Sequence, residues 1–280
     1  MEDGKVMSLL EHLSELRMRL FRCLLAILIG TGVAWHFAPD FLNFVERPLT
    51  GHTYLTVLRE DVYGALKQRF PELYNRYKLG EASRLNPENR KLNYTAPLEP
   101  FFVQVKLSMI IGCMLALPVV LYEIWMFIAP GLTRGERRMA FPFVAVGTLS
   151  FFIGACFFLL FIWPVIINFS LSYQSAGLRS WLSLSAYINF CLRLILIFGL
   201  VFELPIVSIL LARLGLVSSR FLARQRKFAV LASAIIAAFH ADLLTMVVVW
   251  LPLYLMYEVS IWMARIFGRR KQAVEAPAPA

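Results

Sequence analysis

Charge is what this 280-residue chain has least of: Asp, Glu, Lys and Arg make up 16% of it, and apolar residues 59%. Soluble domains carry about 25% charged residues. The deficit is gathered into long uncharged runs, which excludes an ordinary soluble protein, because a helix crossing a bilayer needs about 20 consecutive apolar residues. No alternating barrel-type strand pattern recurs, so the spans are expected to be helical. The four cysteines lie far apart in or beside apolar runs without a CxxC pair, which argues against a disulfide framework and for small buried apolar residues. The four histidines are equally scattered, with no metal-site spacing. There is no P-loop and no nucleophile motif, which leaves neither an ATPase nor a membrane-embedded hydrolase. No internal repeat is visible, which counts against inverted-repeat transporters. No small-residue cleavage site follows the charged N-terminal stretch, so the first apolar run is expected to be a retained span.

What is present is a set of six apolar segments, over about 21–38, 101–129, 141–169, 185–212, 228–239 and 243–263. The last two are short for a hydrocarbon core of about 30 Å, and a tight turn at His240-Ala241-Asp242 is expected between them. The net charge of +10 raises nucleic acid as a partner, but the basic residues sit in short loops, where the positive-inside rule accounts for them. Sixteen Lys and Arg fall in the N-terminal stretch, loops 130–140 and 213–227 and the C-terminal stretch, against Arg179 alone in loop 170–184. Both termini are therefore expected in the cytoplasm, and no nucleic-acid partner is expected. Loop 39–100 is long and nearly charge-balanced. Within it, Leu55, Leu58, Val62, Leu66 and Phe70 share a helical spacing that predicts one or two amphipathic helices. Asn93-Tyr94-Thr95 matches a glycosylation sequon, and is taken as a chance occurrence. Residues 1–270 are expected to form one membrane domain, followed by a disordered tail over 271–280.

Ionisable residues inside apolar runs are the candidates for function: Lys106, Glu123, Arg193, Glu203, Asp242 and Glu258. Lys106 can snorkel from a segment end, and Glu123 and Glu258 lie near cytoplasmic ends, where they are expected to face headgroups. Glu203 lies deeper, about 27 Å from Ser185 and about 15 Å from Arg213 along a helix. An acidic group near a span centre costs about 2.5–3.5 kcal/mol. Pro205, two residues on, predicts a kink and a freed carbonyl. At the N-terminus, Leu9, Leu13, Leu16 and Leu20 form one stripe. Glu11, Glu15, Arg19 and Arg22 form the polar face, with Glu15 and Arg19 at a spacing that favours an ion pair. An interfacial helix leading into the first span satisfies this pattern.

Three stretches carry a family resemblance: HLSELRMRL (His12 to Leu20), LYEIWMFIAPGLTRGERR (Leu121 to Arg138) and FELP (Phe202 to Pro205). In this order and spacing the chain resembles TatC, the multispanning receptor subunit of the twin-arginine protein translocase. The resemblance covers nearly the whole chain apart from much of 51–94 and the tail. It implies an all-α polytopic membrane protein of the bacterial cytoplasmic (inner) membrane. Six transmembrane helices would form a glove-shaped subunit with a concave face, the last two spans being short. The implied partners are twin-arginine signal peptides of folded precursors and single-span subunits of the TatA/TatB type, within a homo-oligomer in a larger complex. Transport would be driven by the proton-motive force, with no cofactor and no enzymatic activity.

Carried over residue by residue, the family's signal-peptide site falls on Glu15, Arg17 and Glu136. A pair of guanidiniums calls for carboxylate acceptors, and Arg–carboxylate forks are strong and directional. Glu203 falls on the family's membrane-embedded glutamate, as an intramembrane contact for a partner helix or inserted peptide. Pro48 and Asp242 fall on outer-side loop positions. Phe239-His240-Ala241 stands where the family has a proline-rich turn, Leu244-Thr245 falls near its serine–glutamine pair, and Leu98 replaces a threonine. The alternative is a proton-coupled secondary transporter relaying through Glu203, Arg193 and Asp242.

Overall fold

The computed structural model describes residues 9–50, 92–129, 140–172, 182–213, 215–238 and 243–268. The expected amphipathic helices over 55–78, the turn at His240 to Asp242 and the tail over 271–280 lie outside them. The described chain is helical throughout, apart from short turns and one isolated bridge between Asn93 and Ser183. Its elements are α1 (Leu9–Thr50), α2 (Glu99–Ile128), α3 (Ala140–Phe157), a π-helical turn (Phe158–Ile162), α4 (Trp163–Ser172), α5 (Leu184–Phe202), α6 (Leu204–Arg213), α7 (Ser219–Arg224), α8 (Arg226–Ala238) and α9 (Leu243–Phe267).

Five helical stretches among the described residues are long and apolar enough to cross a membrane: Glu11–Leu49, Glu99–Ile128, Ala140–Ser170, Leu184–Arg213 and Met246–Phe267. This is a multi-pass membrane protein. The fifth apolar segment folds as α8, whose 13 residues reach only about 20 Å. The sixth departs from expectation. Expected to be short, it is a 25-residue helix, about 37 Å long, that runs past Glu258 to Phe267. Glu258 instead accepts from Tyr254 Oη at 2.7 Å and pairs with Arg226 at 2.9 Å. A carboxylate paired in this way can stand in a helix wall short of the helix end. The first span also outruns its apolar segment, continuing through Pro39 and Pro48 to Thr50. Val45 and Leu49 are buried along that extension.

Helices α1 and α2 form the most extensive pair, running antiparallel. His12 stacks on Phe127 with ring centroids 4.4 Å apart, and Trp35 meets Phe101 edge-on at 6.1 Å, which fixes the register at both ends. Midway, Gly30 faces Gly112 so closely that a Cβ on Gly30 would lie 2.5 Å from the Gly112 carbonyl oxygen. Small residues permit such backbone approach between membrane helices. Helices α3 and α5 meet in the same way, Gly154 against Phe202 and Gly199 against the Phe151 ring. The core is aromatic and aliphatic, centred on Phe158, Trp163, Ile188, Ile195 and Phe198.

Candidate functional site

At the end of the bundle where α1 begins and α2 ends, four charged side chains form one network. Arg19 donates to Glu15 Oε1 through Nε at 3.1 Å and also through Nη2, the expected i,i+4 pair. It turns its other nitrogen, Nη1, to Glu123 Oε2 at 2.9 Å. Arg22 approaches Glu123 Oε1 at 3.5 Å. The side chains of Arg19 and Glu123 are only 14% and 8% exposed. Glu123 therefore does not face headgroups. It is buried, and its position one helix turn short of the end of α2 sets it against the polar face of α1. The other face of α1 carries Leu13, Leu16 and Leu20, all exposed. Glu15 and Arg19 of the polar face pack inward and the leucine stripe faces outward, the reverse of a soluble amphipathic helix and the arrangement hydrocarbon favours.

Glu15 keeps one oxygen in reserve. Oε1 is occupied by Arg19, whereas Oε2 is buried and has no hydrogen-bond partner among the described residues. Arg17 stands apart from this network. Two residues along a helix turn it about 200° away from Glu15, and it is exposed. Glu136 lies outside the described residues, so the structure brings together Glu15, Arg19, Glu123 and Arg22. Sequence reasoning missed Glu123 as a member. The available signal was a carboxylate in an apolar run, opposite an arginine pair spaced three apart on the polar face of another helix.

Glu203 occupies a break in the fourth span. Helix α5 ends at Phe202 and α6 resumes at Leu204, as the Pro205 kink predicts. The freed Phe202 carbonyl is capped by Ser150 Oγ of α3 at 2.6 Å. The Glu203 carbonyl takes over, accepting from the Ile206 and Val207 amides at 3.0 Å each. The Glu203 side chain is buried against Gly147 of α3, where a Cβ would come within 3.2 Å of Oε2. Neither carboxyl oxygen has a hydrogen-bond partner among the described residues. Arg193 does not meet it. It lies ten residues earlier, about 15 Å along the axis, and is exposed while Glu203 is buried. The Glu203–Arg193–Asp242 relay thus loses the Arg193 step, and Asp242 lies outside the described residues.

Pro48 is buried in the last turn of α1 instead of standing in a loop. One turn before it, the Val45 carbonyl accepts from Trp163 Nε1 at 3.0 Å and Tyr187 Oη at 2.8 Å. These bonds tie the far end of α1 to α4 and α5. Among the described residues, no group of His, Cys, Asp and Glu is arranged to hold a metal ion.

The family model of the Sec-independent protein translocase protein (TatC) matches residues 11–252. The chain belongs to the TatC family. It is 33% identical to the TatC protein of Desulforapulum autotrophicum over 96% of this chain and 88% of that protein. To that of Aquifex aeolicus it is 32% identical, over 96% and 99%. To that of Escherichia coli it is 26% identical, over 94% and 92%. A crystal structure of the twin-arginine translocase receptor TatC superimposes with a TM-score of 0.71 at 31% identity, covering 92% of this chain and all of that one. TatC membership makes the protein a component of the twin-arginine, Sec-independent translocase. It is a membrane transport protein rather than an enzyme, and it belongs to a multi-subunit assembly.

Proposed function

We propose that the protein is the signal-reading core subunit of this translocase, with Glu15 and Glu136 as acceptors for the paired guanidiniums of a twin-arginine signal peptide. The observation that carries this reading is the buried, unpartnered Oε2 of Glu15. A buried carboxylate oxygen without a donor is costly, and a guanidinium is the donor that fits it best, forming short charge-assisted bonds. Glu123 supports the role by holding the far side of Arg19, which fixes the Glu15 side chain from below. Arg17, exposed on the adjoining face, would line the approach.

In this reading the chain is one membrane domain in the bacterial inner membrane. Its six spans form a glove with a concave face, α8 serves as the short fifth span, and both termini are cytoplasmic. It assembles with copies of itself and with single-span partners of the TatA/TatB type, and transport runs on the proton-motive force. Glu203 serves as the intramembrane contact for a partner helix or inserted signal peptide, and Pro48 and Asp242 shape the outer side. Photocrosslinking to a twin-arginine precursor in membranes tests the site. Glu15→Ala and Glu136→Ala should each reduce crosslinking at least about tenfold, the loss expected for a desolvated Arg–carboxylate contact. Undiminished crosslinking in both variants overturns the assignment.

A further inference from the structure

Beside the break in the fourth span lies a crevice that the receptor reading does not use. Its volume is about 350 Å³, and it runs between α8 on one side and the α5–α6 break and α9 on the other. Its α8 wall follows Gln225, Phe228, Ala232 and Ile236, which share one helical face. From Gln225 to Ile236 that wall is about 16 Å long. Opposite stand Val201 and Leu204, which flank Glu203, and Leu253 of α9. Small side chains on α8 leave room here, and α8 is fastened to α9 at the mouth. Arg226 pairs with Glu258 at 2.9 Å, and Tyr257 Oη donates to the Leu222 carbonyl of α7 at 2.7 Å. The Ser233 hydroxyl turns back to the Val230 carbonyl at 3.0 Å. Below the mouth the walls therefore offer hydrocarbon and no free hydroxyl.

The alternating directions of the helices bring the starts of α1 and α8 and the ends of α6 and α9 to one end of the bundle. There Arg213 Nε reaches the Phe267 carbonyl at 3.4 Å. The mouth of the crevice, at Gln225 and Tyr257, opens at this same end. Between Ser218 and Lys227 the chain carries four exposed cations, Arg220, Arg224, Arg226 and Lys227, and no acid. Glu258 meets Arg226. Among the described residues, Arg220, Arg224 and Lys227 have no carboxylate within ion-pair distance. Arg220 and Arg224 stand one turn apart on the same side of α7, directly before Gln225 at the rim.

We propose that the crevice binds one acyl chain of an anionic phospholipid, whose phosphate is held at the rim by Arg220 and Arg224. Length identifies the occupant. A membrane-spanning helix follows a core about 30 Å thick, whereas the crevice is about 16 Å long, the depth of one leaflet. Width agrees with length. A single turn of α-helix, about 10 Å across, fills about 420 Å³, more than the whole crevice. A hydrocarbon chain is narrower and needs no polar partner along its length. With the chain in place, the headgroup lies at the rim, where basic side chains between membrane helices suit an anionic lipid. Arginine forks match phosphate oxygens, and a zwitterionic headgroup would bring its own cation to the same rim.

The test uses the purified full-length protein in mild detergent, titrated with phosphatidylglycerol or phosphatidylcholine of identical acyl chains. Bound lipid is counted by native mass spectrometry. One phosphatidylglycerol should be retained about fivefold more tightly than phosphatidylcholine, the gain expected from one arginine at a headgroup. Arg220→Gln with Arg224→Gln should erase that preference, while Arg220→Lys with Arg224→Lys should keep most of it. Ala232→Trp, which fills the crevice, should abolish retention of both lipids. Lyso-phosphatidylglycerol should compete as well as the two-chain lipid, because only one chain has room. Thermal melting confirms that the variants fold, and Ala232→Leu serves if Ala232→Trp does not. Equal retention of the two lipids, a preference that survives the double Gln variant, or retention indifferent to the filled crevice overturns the proposal. So does displacement of the lipid by a neutral 22-residue Leu/Ala helix, which would make the crevice a helix-docking groove.

Discussion

Glu123 and Glu203 are both almost fully buried in apolar helices, at 7% and 5% exposure. They are treated in opposite ways. Glu123 meets two arginines from another helix, so its charge is cancelled inside the network that holds α1 to α2. Glu203 sits in a helix break against a glycine, with both oxygens unpartnered. A satisfied buried ion pair is architecture, because removing one partner leaves an uncompensated charge. An unsatisfied one is a cost the fold carries for another purpose. The contrast teaches that an acidic residue in an apolar run cannot be assigned to structure or function until its neighbours are known.

The contrast can be broken by substitution. The largest expected effect is on Glu123. Glu123→Ala leaves Arg19 Nη1 without its acceptor in a poorly hydrated site, with only Glu15 left to meet the charge, and should cost about 3 kcal/mol, measured by thermal or denaturant unfolding in detergent. Combined with Arg19→Ala, the losses should be strongly non-additive. A loss under about 1 kcal/mol, or additive losses, would put Glu123 in the same class as Glu203. Glu203→Leu should do the reverse. Stability should hold or rise by about 1 kcal/mol as an unpartnered polar group disappears, while transport of a folded precursor falls. Glu203→Gln should retain more transport than Glu203→Leu if the carboxyl acts as a polar contact. If Glu203→Leu unfolds the protein, Glu203 is structural after all. The smallest effect belongs to Ser150→Ala, which removes one hydrogen bond from the Phe202 carbonyl at the break. It should cost about 1 kcal/mol, read by the same unfolding assay, and leave signal crosslinking intact.

Much of the fold was legible along the chain. The apolar runs set the rough places of the five long helical stretches among the described residues, the shortness of α8 and the break before Pro205. The motifs around Glu15, Phe202 and Leu121 carried the family. The limits fell where a charge seemed to mark a boundary. Glu258 read as a headgroup-facing carboxylate near the end of the last span, yet it pairs with Arg226 and Tyr254 while the helix runs on to Phe267. Glu123 and Lys106 read as surface groups for the same reason. Their partners, Arg19 and Asn189, stand 104 and 83 residues away, beyond the reach of local patterning.

The sequence by itself determined that this is a helical membrane protein, where most of its spans lie, and to which family it belongs. These follow from the hydrocarbon's demand for apolar side chains and internally bonded backbone, which acts locally on every segment. Only the tertiary structure decided which buried charges are neutralised and which stand open. That depends on the register between helices, set here by the Gly30–Gly112 approach, the His12–Phe127 stack and the Asn93–Ser183 bridge. Electrostatic pairing in a low-dielectric interior is settled over a few ångströms between helices far apart in sequence, and no periodicity along one helix encodes it.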